Sequence, residues 1–134
     1  MNPVILEVVT PEKKVLREEV ESIIVPGTEG YLGVLPRHSP LLTTLKPGVV
    51  QYRKAGKWEQ LAVSGGFMEA SPRRLVILAD TAELPSEIDI ERARRSMERA
   101  KKRLWECPPG LDVARAEAAL MRSLARLKAS GSKE

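Results

Sequence analysis

Apolar residues up to position 84 fall into short runs that are separated by turn-forming residues. The runs are rich in Val, Ile and Leu, and the breaks between them recur roughly every 8–12 residues, which is typical of an antiparallel sandwich or barrel. No break is long enough for the helix that connects two parallel strands. The predicted strands occupy residues 4–9, 23–25, 31–35, 41–45, 49–53, 58–63, 67–70 and 75–79.

Three of the breaks carry specific turn chemistry. Lys54-Ala55-Gly56-Lys57 separates two such runs, and its glycine suits a tight hairpin turn. Ser71-Pro72-Arg73-Arg74 separates the last two runs in the same way. Ser64-Gly65-Gly66 is similar to a serine nucleophile elbow, but Ala62 stands where that motif has glycine, so a tight bend is the simpler interpretation.

The period of the pattern changes after Glu83. Ser86 and Asp89 match a capping box, which predicts the start of a helix. Apolar residues then recur at alternating intervals of three and four, which places them on one helical face. That face consists of Ile90, Ala93, Met97, Ala100 and Leu104.

A second helix follows a stiff break at Cys107-Pro108-Pro109-Gly110, because neither proline continues a helix. Asp112 is its predicted cap, and its apolar face consists of Val113, Ala116, Leu120, Leu124 and Leu127. Two such helices form an antiparallel hairpin, whose alanine-rich seam buries little area and therefore needs a neighbour. The predicted fold class is α+β, with an antiparallel β-sandwich domain over residues 1–84 and a helical hairpin domain over residues 85–134.

Charge is distributed unevenly between these two parts. Residues 1–84 contain 10 Lys or Arg and 10 Asp or Glu, whereas residues 85–134 contain 12 and 8, so the net charge of +4 comes from the second part. A basic C-terminal part is compatible with nucleic acid, an acidic protein surface, a membrane or a nucleotide as partner. It is equally compatible with a solvated helical face.

Catalytic and metal chemistry has little support in the sequence. The single cysteine and single histidine form neither a disulfide nor, without clustered carboxylates, a zinc site. No G-x-x-x-x-G-K-[ST] or G-x-G-x-x-G phosphate-binding loop is present. No run approaches the ~18 apolar residues of a membrane-spanning helix, and the first residues lack the pattern of a secretory signal.

The arginines of the predicted hairpin follow helical spacings. Asp89, Arg92 and Arg99 fall near one line of the first helix, and Arg122 and Arg126 are one turn apart on the second. If the helices fold back on each other, these guanidinium groups converge and could hold a polyphosphate bidentately. The alternative is that they form solvated stripes and intrahelical ion pairs.

Several segments resemble one protein family. Residues 30–42, Gly-Tyr-Leu-Gly-Val-Leu-Pro-Arg-His-Ser-Pro-Leu-Leu, are similar to a characteristic stretch of the epsilon subunits of F-type ATP synthases. Ser64-Gly65-Gly66-Phe67, Val8-Val9-Thr10-Pro11 and Arg126-Leu127-Lys128-Ala129 are similar to further parts of that family. The resemblance covers nearly the whole chain in order, and it implies a sandwich of about ten strands followed by the helical hairpin.

The resemblance also implies a non-catalytic rotor subunit with protein partners. The expected partners are the gamma subunit, the ring of c subunits and, in an extended state of the hairpin, the alpha/beta catalytic hexamer, where the hairpin obstructs ATP hydrolysis. Neither nucleic acid binding nor membrane insertion is expected. The expected location is peripheral, at the cytoplasmic face of the bacterial plasma membrane within the ATP synthase.

Site residues follow from the same resemblance. In many bacterial members of the family the compact form binds ATP as a regulatory ligand through an I/L-D-x-x-R-A motif, which Ile88, Asp89, Arg92 and Ala93 match. No metal site is expected. The further expected nucleotide contacts are Glu83, Arg99, Arg122 and Arg126. The expected c-ring contact loop contains Tyr31 and His38, although many members have Glu at the position of Tyr31 and Gly at that of Arg37.

Two alternative functions remain open. A nucleic-acid-binding hairpin is disfavoured because Trp105 is its only aromatic residue and eight acidic residues dilute its charge. A purely structural coupling subunit of the same family, without nucleotide binding, is the second alternative. The two prolines at 108 and 109 would kink or break an extended hairpin, which makes strong inhibition uncertain.

Overall fold

The computed structural model describes residues 4–35 and 40–131, and these form ten β-strands and two α-helices. A short 3₁₀ turn at Pro85–Glu87 connects the strands to the helices. The strands are β1 Val4–Val9, β2 Lys14–Val20, β3 Ser22–Gly27, β4 Gly30–Val34, β5 Leu41–Leu45, β6 Gly48–Lys54, β7 Lys57–Val63, β8 Gly66–Ser71, β9 Arg74–Ala79 and β10 Ala82–Glu83. The helices are α1 Ile90–Glu106 and α2 Val113–Ala129.

The strands form a sandwich around one apolar core. They are hydrogen-bonded in the order β10-β7-β6-β3-β5-β8-β9-β1-β2, with β4 paired to β3. Inward side chains from distant parts of this order are fully buried in one cluster, among them Leu6, Ile23, Leu61, Met68 and Ile77. This confirms the predicted β-sandwich.

One pair of strands, β1 and β9, is parallel rather than antiparallel. The short breaks in the sequence exclude parallel pairing only for strands that follow one another in the chain. Since seven strands separate β1 from β9, no crossover helix is needed between them. The pairing places β1 beside β9 and helps to close the sandwich.

All eight predicted strand regions are strands, but two strands were not predicted. β2 carries Arg17, Glu18 and Glu19 in succession, and this run of charges hides its apolar alternation. β10 has only two residues, which pair with β7. The predicted hairpin turn at Ala55-Gly56 is confirmed, because both residues have positive φ angles, 50° and 78°, as a two-residue hairpin loop requires.

Aspartates cap both helices. An oxygen of Asp89 accepts a hydrogen bond from the Arg92 backbone N–H at 3.0 Å, and Asp112 accepts one from the Arg115 N–H at 3.1 Å. The predicted capping box at Ser86 and Asp89 is therefore wrong at its first position. Ser86 lies in the 3₁₀ turn, whose geometry delays the start of α1 to the residue after Asp89.

The hairpin docks on the outside of the sandwich through α2. Ala125 and Ala129 of α2 pack on Val49 of β6 and Ala62 of β7, with Ile88 beside them. Small residues on both surfaces allow the helix and the strands to approach closely. The sandwich is thus the neighbour that the marginal hairpin requires.

The helix end is also tied to the sheet by hydrogen bonds. The side-chain amide of Gln60 on β7 donates to the carbonyl oxygens of Lys128 and Ala129, at 3.1 and 3.0 Å. These two carbonyls belong to the last turn of α2, where intrahelical partners are lacking. α1 packs in turn on α2, where Ala93, Met97 and Leu127 form a small apolar cluster.

A buried carboxylate stabilises the opposite end of the strand order. Glu7 on β1 is only 4% exposed, and it pairs with Arg74, with Lys14 at 3.2 Å and with Arg17 at 3.9 Å. Burial alone raises the pKa of Glu7, but the hydrogen bond from Lys14 and the charges of Arg74, Lys14 and Arg17 outweigh it and hold the pKa below its ordinary value. These ion pairs therefore favour folding only while Glu7 is ionised.

We expect Glu7→Gln to lower the free energy of unfolding at neutral pH, and the deficit to shrink as the pH falls. A lowered folded-state pKa adds stability above the unfolded-state pKa of Glu and loses it as the pH falls through the folded-state value. Denaturant unfolding at several pH values measures the difference. Glu69→Gln, an exposed position on β8, is the control, and an equal effect of both variants would contradict the assignment.

A chain ending at Leu84 should fold without the hairpin, because every residue of the main core cluster lies within residues 4–84. It should be less stable than the full chain, since Val49 and Ala62 lose the helix that covers them. Circular dichroism with thermal melting measures this. A melt without a cooperative transition would place the domain boundary elsewhere.

Candidate functional site

Two adjoining surface grooves contain most of the predicted site residues. The first, which we call the junction groove, has a volume of about 480 Å³ and lies between the sandwich and the start of α1. It includes Glu83, Asp89, Arg92, Ala93 and Arg126. The second, which we call the helix groove, has a volume of about 580 Å³ and lies between α1 and α2. Its charged lining consists of Arg99, Arg103, Asp112, Arg115, Arg122 and Arg126.

Arg126 belongs to both grooves, and Ser96 is the other residue that they share. The Nε–H group of Arg126 donates to an oxygen of Glu83 at 2.5 Å, so the last strand holds the arginine of α2 in place. Both side chains are about one-third exposed. Because Nε makes this bond, the terminal nitrogens of the guanidinium remain as donors toward the grooves.

The two grooves differ in charge. The carboxylates of the junction groove, which are Glu12, Asp80, Glu83, Glu87 and Asp89, outnumber its cations, Lys13, Arg92 and Arg126. In the helix groove five arginines face one carboxylate, Asp112. An elongated ligand with one neutral, polar end and one anionic end therefore matches the two grooves in only one orientation.

Within residues 4–35 and 40–131, no ion pair engages Arg92, Arg99 or Arg122. The Asp89 side chain caps α1 by accepting a hydrogen bond from the Arg92 backbone N–H. It thereby fixes the start of the helix and the position of Arg92. The structure thus brings Asp89, Arg92, Arg99, Arg122 and Arg126 to one continuous surface, as the helical spacings predict.

Ile88 is the member of the predicted nucleotide set that lines neither groove. It is 8% exposed and packs with Val49, Ala62 and the alanines of α2. Its side chain contributes to docking of the hairpin. The sequence motif therefore combines a docking residue with groove residues.

Tyr31 links the predicted c-ring contact loop to the docked helix. Its ring is half-exposed, its hydroxyl oxygen accepts a hydrogen bond from the Val49 N–H at 3.3 Å, and Nζ of Lys128 lies 5.6 Å from the ring centroid. Tyr31 therefore contacts both β6 and the last turn of α2. His38, the other residue predicted for this loop, lies outside the described residues.

Residues of the helix groove were also missed from the sequence. Arg103 and Arg115 line this groove, although neither was among the predicted contacts. One signal could have identified Arg115, because Leu111-Asp112-Val113-Ala114-Arg115-Ala116 repeats the I/L-D-x-x-R-A pattern of residues 88–93. Gln60 was missed as well, because nothing in the sequence relates it to α2.

The Ser64 segment forms a bend. The Ser64 hydroxyl oxygen accepts hydrogen bonds from the backbone N–H and the hydroxyl of Thr81, both at 2.8 Å. Gly66 has a φ of 139°, and a Cβ there would lie 2.0 Å from the Leu78 carbonyl oxygen. Small residues are thus needed for close approach of the backbone, as the simpler interpretation predicts.

Neither a metal site nor a membrane span emerges from the described ranges. In them, no three His, Cys, Asp or Glu side chains are grouped so that they could hold a metal ion. In the same ranges, no helix is both long and apolar enough to cross a membrane.

Two family models match the chain in sequence order and define its class. Residues 4–85 match the β-sandwich domain of the delta/epsilon chain of ATP synthase, and residues 86–131 match the long α-helix domain of the same chain. The β-sandwich with a docked helical hairpin is thus the architecture of a delta/epsilon chain.

Relatives narrow this class. The chain is 61% identical to the ATP synthase epsilon chain of Moorella thermoacetica, over 94% of this chain and 95% of that protein. It is 48% identical to the epsilon chain of Desulforamulus reducens, over 93% and 95%. The chain belongs to the family of bacterial ATP synthase epsilon chains, and it is therefore a non-catalytic subunit.

Solved structures share the fold. The Euglena gracilis mitochondrial ATP synthase, described as OSCP/F1/c-ring, contains a chain that matches with a TM-score of 0.82 and 27% identity, over 97% of this chain and 82% of that one. A chain of the Tetrahymena thermophila mitochondrial ATP synthase, described as central stalk/c-ring, matches with a TM-score of 0.61 and 16% identity, over 95% and 96%. The second likeness concerns the fold alone.

We expect Glu83→Gln to weaken docking of the hairpin in the absence of any ligand. Arg126 would lose the carboxylate that offsets its charge, while the like charge of Arg122 remains one turn away. Both groups are partly exposed, so the loss of unfolding free energy should be about 0.5 kcal/mol. Far-UV circular dichroism melts measure it. The control is Glu91→Gln, which removes the exposed Glu91–Arg94 pair within α1, and an equal loss in both variants would contradict a special role for Glu83.

Proposed function

We propose that the docked hairpin is a nucleotide sensor, and that ATP binds across the junction groove and the helix groove. The observation that carries this proposal is the meeting of the two grooves at Arg126, with carboxylates in excess on one side and arginines on the other. The family resemblance adds that eight residues match expected contact positions, which are Glu83, Ile88, Asp89, Arg92, Ala93, Arg99, Arg122 and Arg126. Of these, Ile88 contributes to docking of the hairpin and lines neither groove.

The charge difference orients the nucleotide. Phosphate oxygens are repelled by the carboxylates of the junction groove, whereas Arg99 and Arg122 offer guanidinium forks in the helix groove. The nucleoside end therefore lies in the junction groove, where Glu83 is an acceptor for a hydroxyl or amino hydrogen. Arg126, shared by both grooves, contacts the phosphates next to the sugar.

Binding shifts the conformation because the helix groove has walls from both helices. ATP binds only when α1 and α2 lie side by side, so it favours the compact state over any state in which they separate. A ligand present at 100 times its dissociation constant adds roughly 2.7 kcal/mol. That free energy decides between two conformers of similar stability.

In this proposal the released hairpin extends toward the alpha/beta catalytic hexamer and obstructs ATP hydrolysis. The sandwich binds the gamma subunit and the c ring, through the loop that includes Tyr31 and His38. The description of the related Euglena assembly, which names the c-ring, supports this placement. The complex would place the chain at the cytoplasmic face of the bacterial plasma membrane, without insertion.

A second candidate function is structural coupling without nucleotide binding. The observation that favours it is the set of contacts within the chain, since Arg126 has Glu83 as its partner and α2 packs on the sandwich through Ala125 and Ala129. In that case the hairpin would be docked by its own contacts. A nucleotide would not change its stability.

We expect ATP to raise the melting temperature of the full chain, and Arg126→Ala to lower ATP affinity and abolish this rise. Asp89→Ala should weaken binding more modestly, because its carboxylate positions the helix start instead of contacting phosphate. Differential scanning fluorimetry and calorimetric titration with ATP measure both effects.

The matched control is Arg95→Ala, because Arg95 is exposed on α1 and lines neither groove. Arg103 does not serve as a control, since it lines the helix groove. An equal rise in melting temperature for the wild type and Arg126→Ala would exclude the shared-arginine model. No rise in any variant would favour the coupling function.

A further inference from the structure

The arginine lining of the helix groove continues past the residues assigned to ATP. Arg103 of α1 and Arg115 of α2 line the groove near the turn between the helices. Both are exposed, and within the described ranges neither has an ion-pair partner. The one carboxylate in this groove, Asp112, has an oxygen engaged by the Arg115 backbone N–H. This end of the groove is therefore cationic and unfilled by the protein's own side chains.

The distance along the helices separates this end from the proposed phosphate contacts. Arg103 follows Arg99 by one turn, roughly 6 Å, and Arg115 precedes Arg122 by about two turns, roughly 10 Å. Arg115 precedes Arg126 by eleven residues, or roughly 16 Å. A nucleotide whose phosphates contact Arg126 and Arg122 leaves the groove toward the turn open.

The local structure at this end repeats that at the start of α1. Asp89 and Asp112 each cap a helix by accepting the N–H of an arginine three residues later, at 3.0 and 3.1 Å. Arg115 thus has the same position relative to its helix start as Arg92. The surface formed by the two grooves therefore extends from Asp89 and Arg92 at one end to Asp112 and Arg115 at the other.

We propose that Arg103 and Arg115 form a second anion subsite, which takes the distal part of a linear polyphosphate longer than a triphosphate. Guanidinium groups on both walls suit a chain in which every unit presents oxygens to either side. The inference rests on the proposed function only in assuming that the same groove is open to anions. It assigns to this family member a ligand class beyond ATP.

Calorimetric titration of the full chain tests the subsite, with ATP, tripolyphosphate and a longer linear polyphosphate of defined length as probes. We expect the longer chain to bind on the order of tenfold more tightly than tripolyphosphate. Arg103→Ala/Arg115→Ala should remove that advantage. The same double variant should change ATP affinity less than it changes affinity for the longer chain, because Arg103 and Arg115 lie nearer the turn than the proposed triphosphate contacts.

The matched control is Lys101→Ala/Lys102→Ala, which removes two exposed cations of α1 outside the groove and should keep the advantage of the longer chain. An equal loss in both double variants, or equally tight binding of a polyglutamate, would show that net charge alone attracts the chain and would overturn the subsite. Equal affinity of the wild type for both polyphosphates would overturn it as well.

The same titrations separate the two proposals. Length-dependent binding that needs Arg103 and Arg115, without any ATP binding, would support the subsite and contradict the nucleotide sensor. ATP binding with no dependence on polyphosphate length would do the reverse.

Discussion

The docking of α2 on β6 and β7 is the contact on which the position of the hairpin and the junction groove depend. Ala125 and Ala129 bring the helix close to Val49 and Ala62, and Gln60 binds the carbonyls of its last turn. α1 is positioned mainly by packing on α2, so the junction groove, which has walls from the sandwich and from the hairpin, exists only while this contact is formed. Burial of apolar surface contributes about 25 cal/mol per Å², and small residues bury little of it. The contact is therefore specific in shape but modest in strength. A modest contact is what a reversible hairpin needs.

Charge then determines what the docked state can recognise. Packing of α1 on α2 gathers five arginines in the helix groove, and mutual repulsion opposes the state that brings them together. Glu83 offsets this for Arg126 alone, because β10 ends beside the last turns of α2. The remaining repulsion is relieved by an anion in the groove, so stability of the compact state and affinity for an anion are two aspects of one equilibrium.

The sequence predicted elements with strong local signals and failed where tertiary contacts decide. Asp112, the Ala55-Gly56 turn and the apolar face of α1 were identifiable from spacing and turn chemistry. The predicted face of α2 was right only in part, because Val113 is exposed and the docking residues Ala125 and Ala129 lie outside it. The start of α1 was misplaced because Ser86 is as good a cap as Asp89 in sequence, and only the 3₁₀ turn distinguishes them. Arg103 was not predicted, because helical spacing alone does not reveal the second wall of the groove. Gln60 and the Lys128–Tyr31 contact join residues far apart in the chain, which no local pattern records.

The turn between the helices limits what release of the hairpin can involve. Cys107 ends α1 in a left-handed conformation with a φ of 44°, and Gly110 has a φ of 81°. Straightening Cys107 would remove an unfavourable conformation, but Pro108 disfavours helical geometry at the preceding residue. We therefore expect the turn to stay non-helical if the hairpin opens, so that α1 and α2 would not join into one continuous helix. A ligand in the helix groove, with walls from both helices, opposes their separation, whereas one confined to the junction groove contacts α2 only through Arg126. In the proposed function, control of the hairpin would therefore belong chiefly to the part of the ligand that lies between the helices.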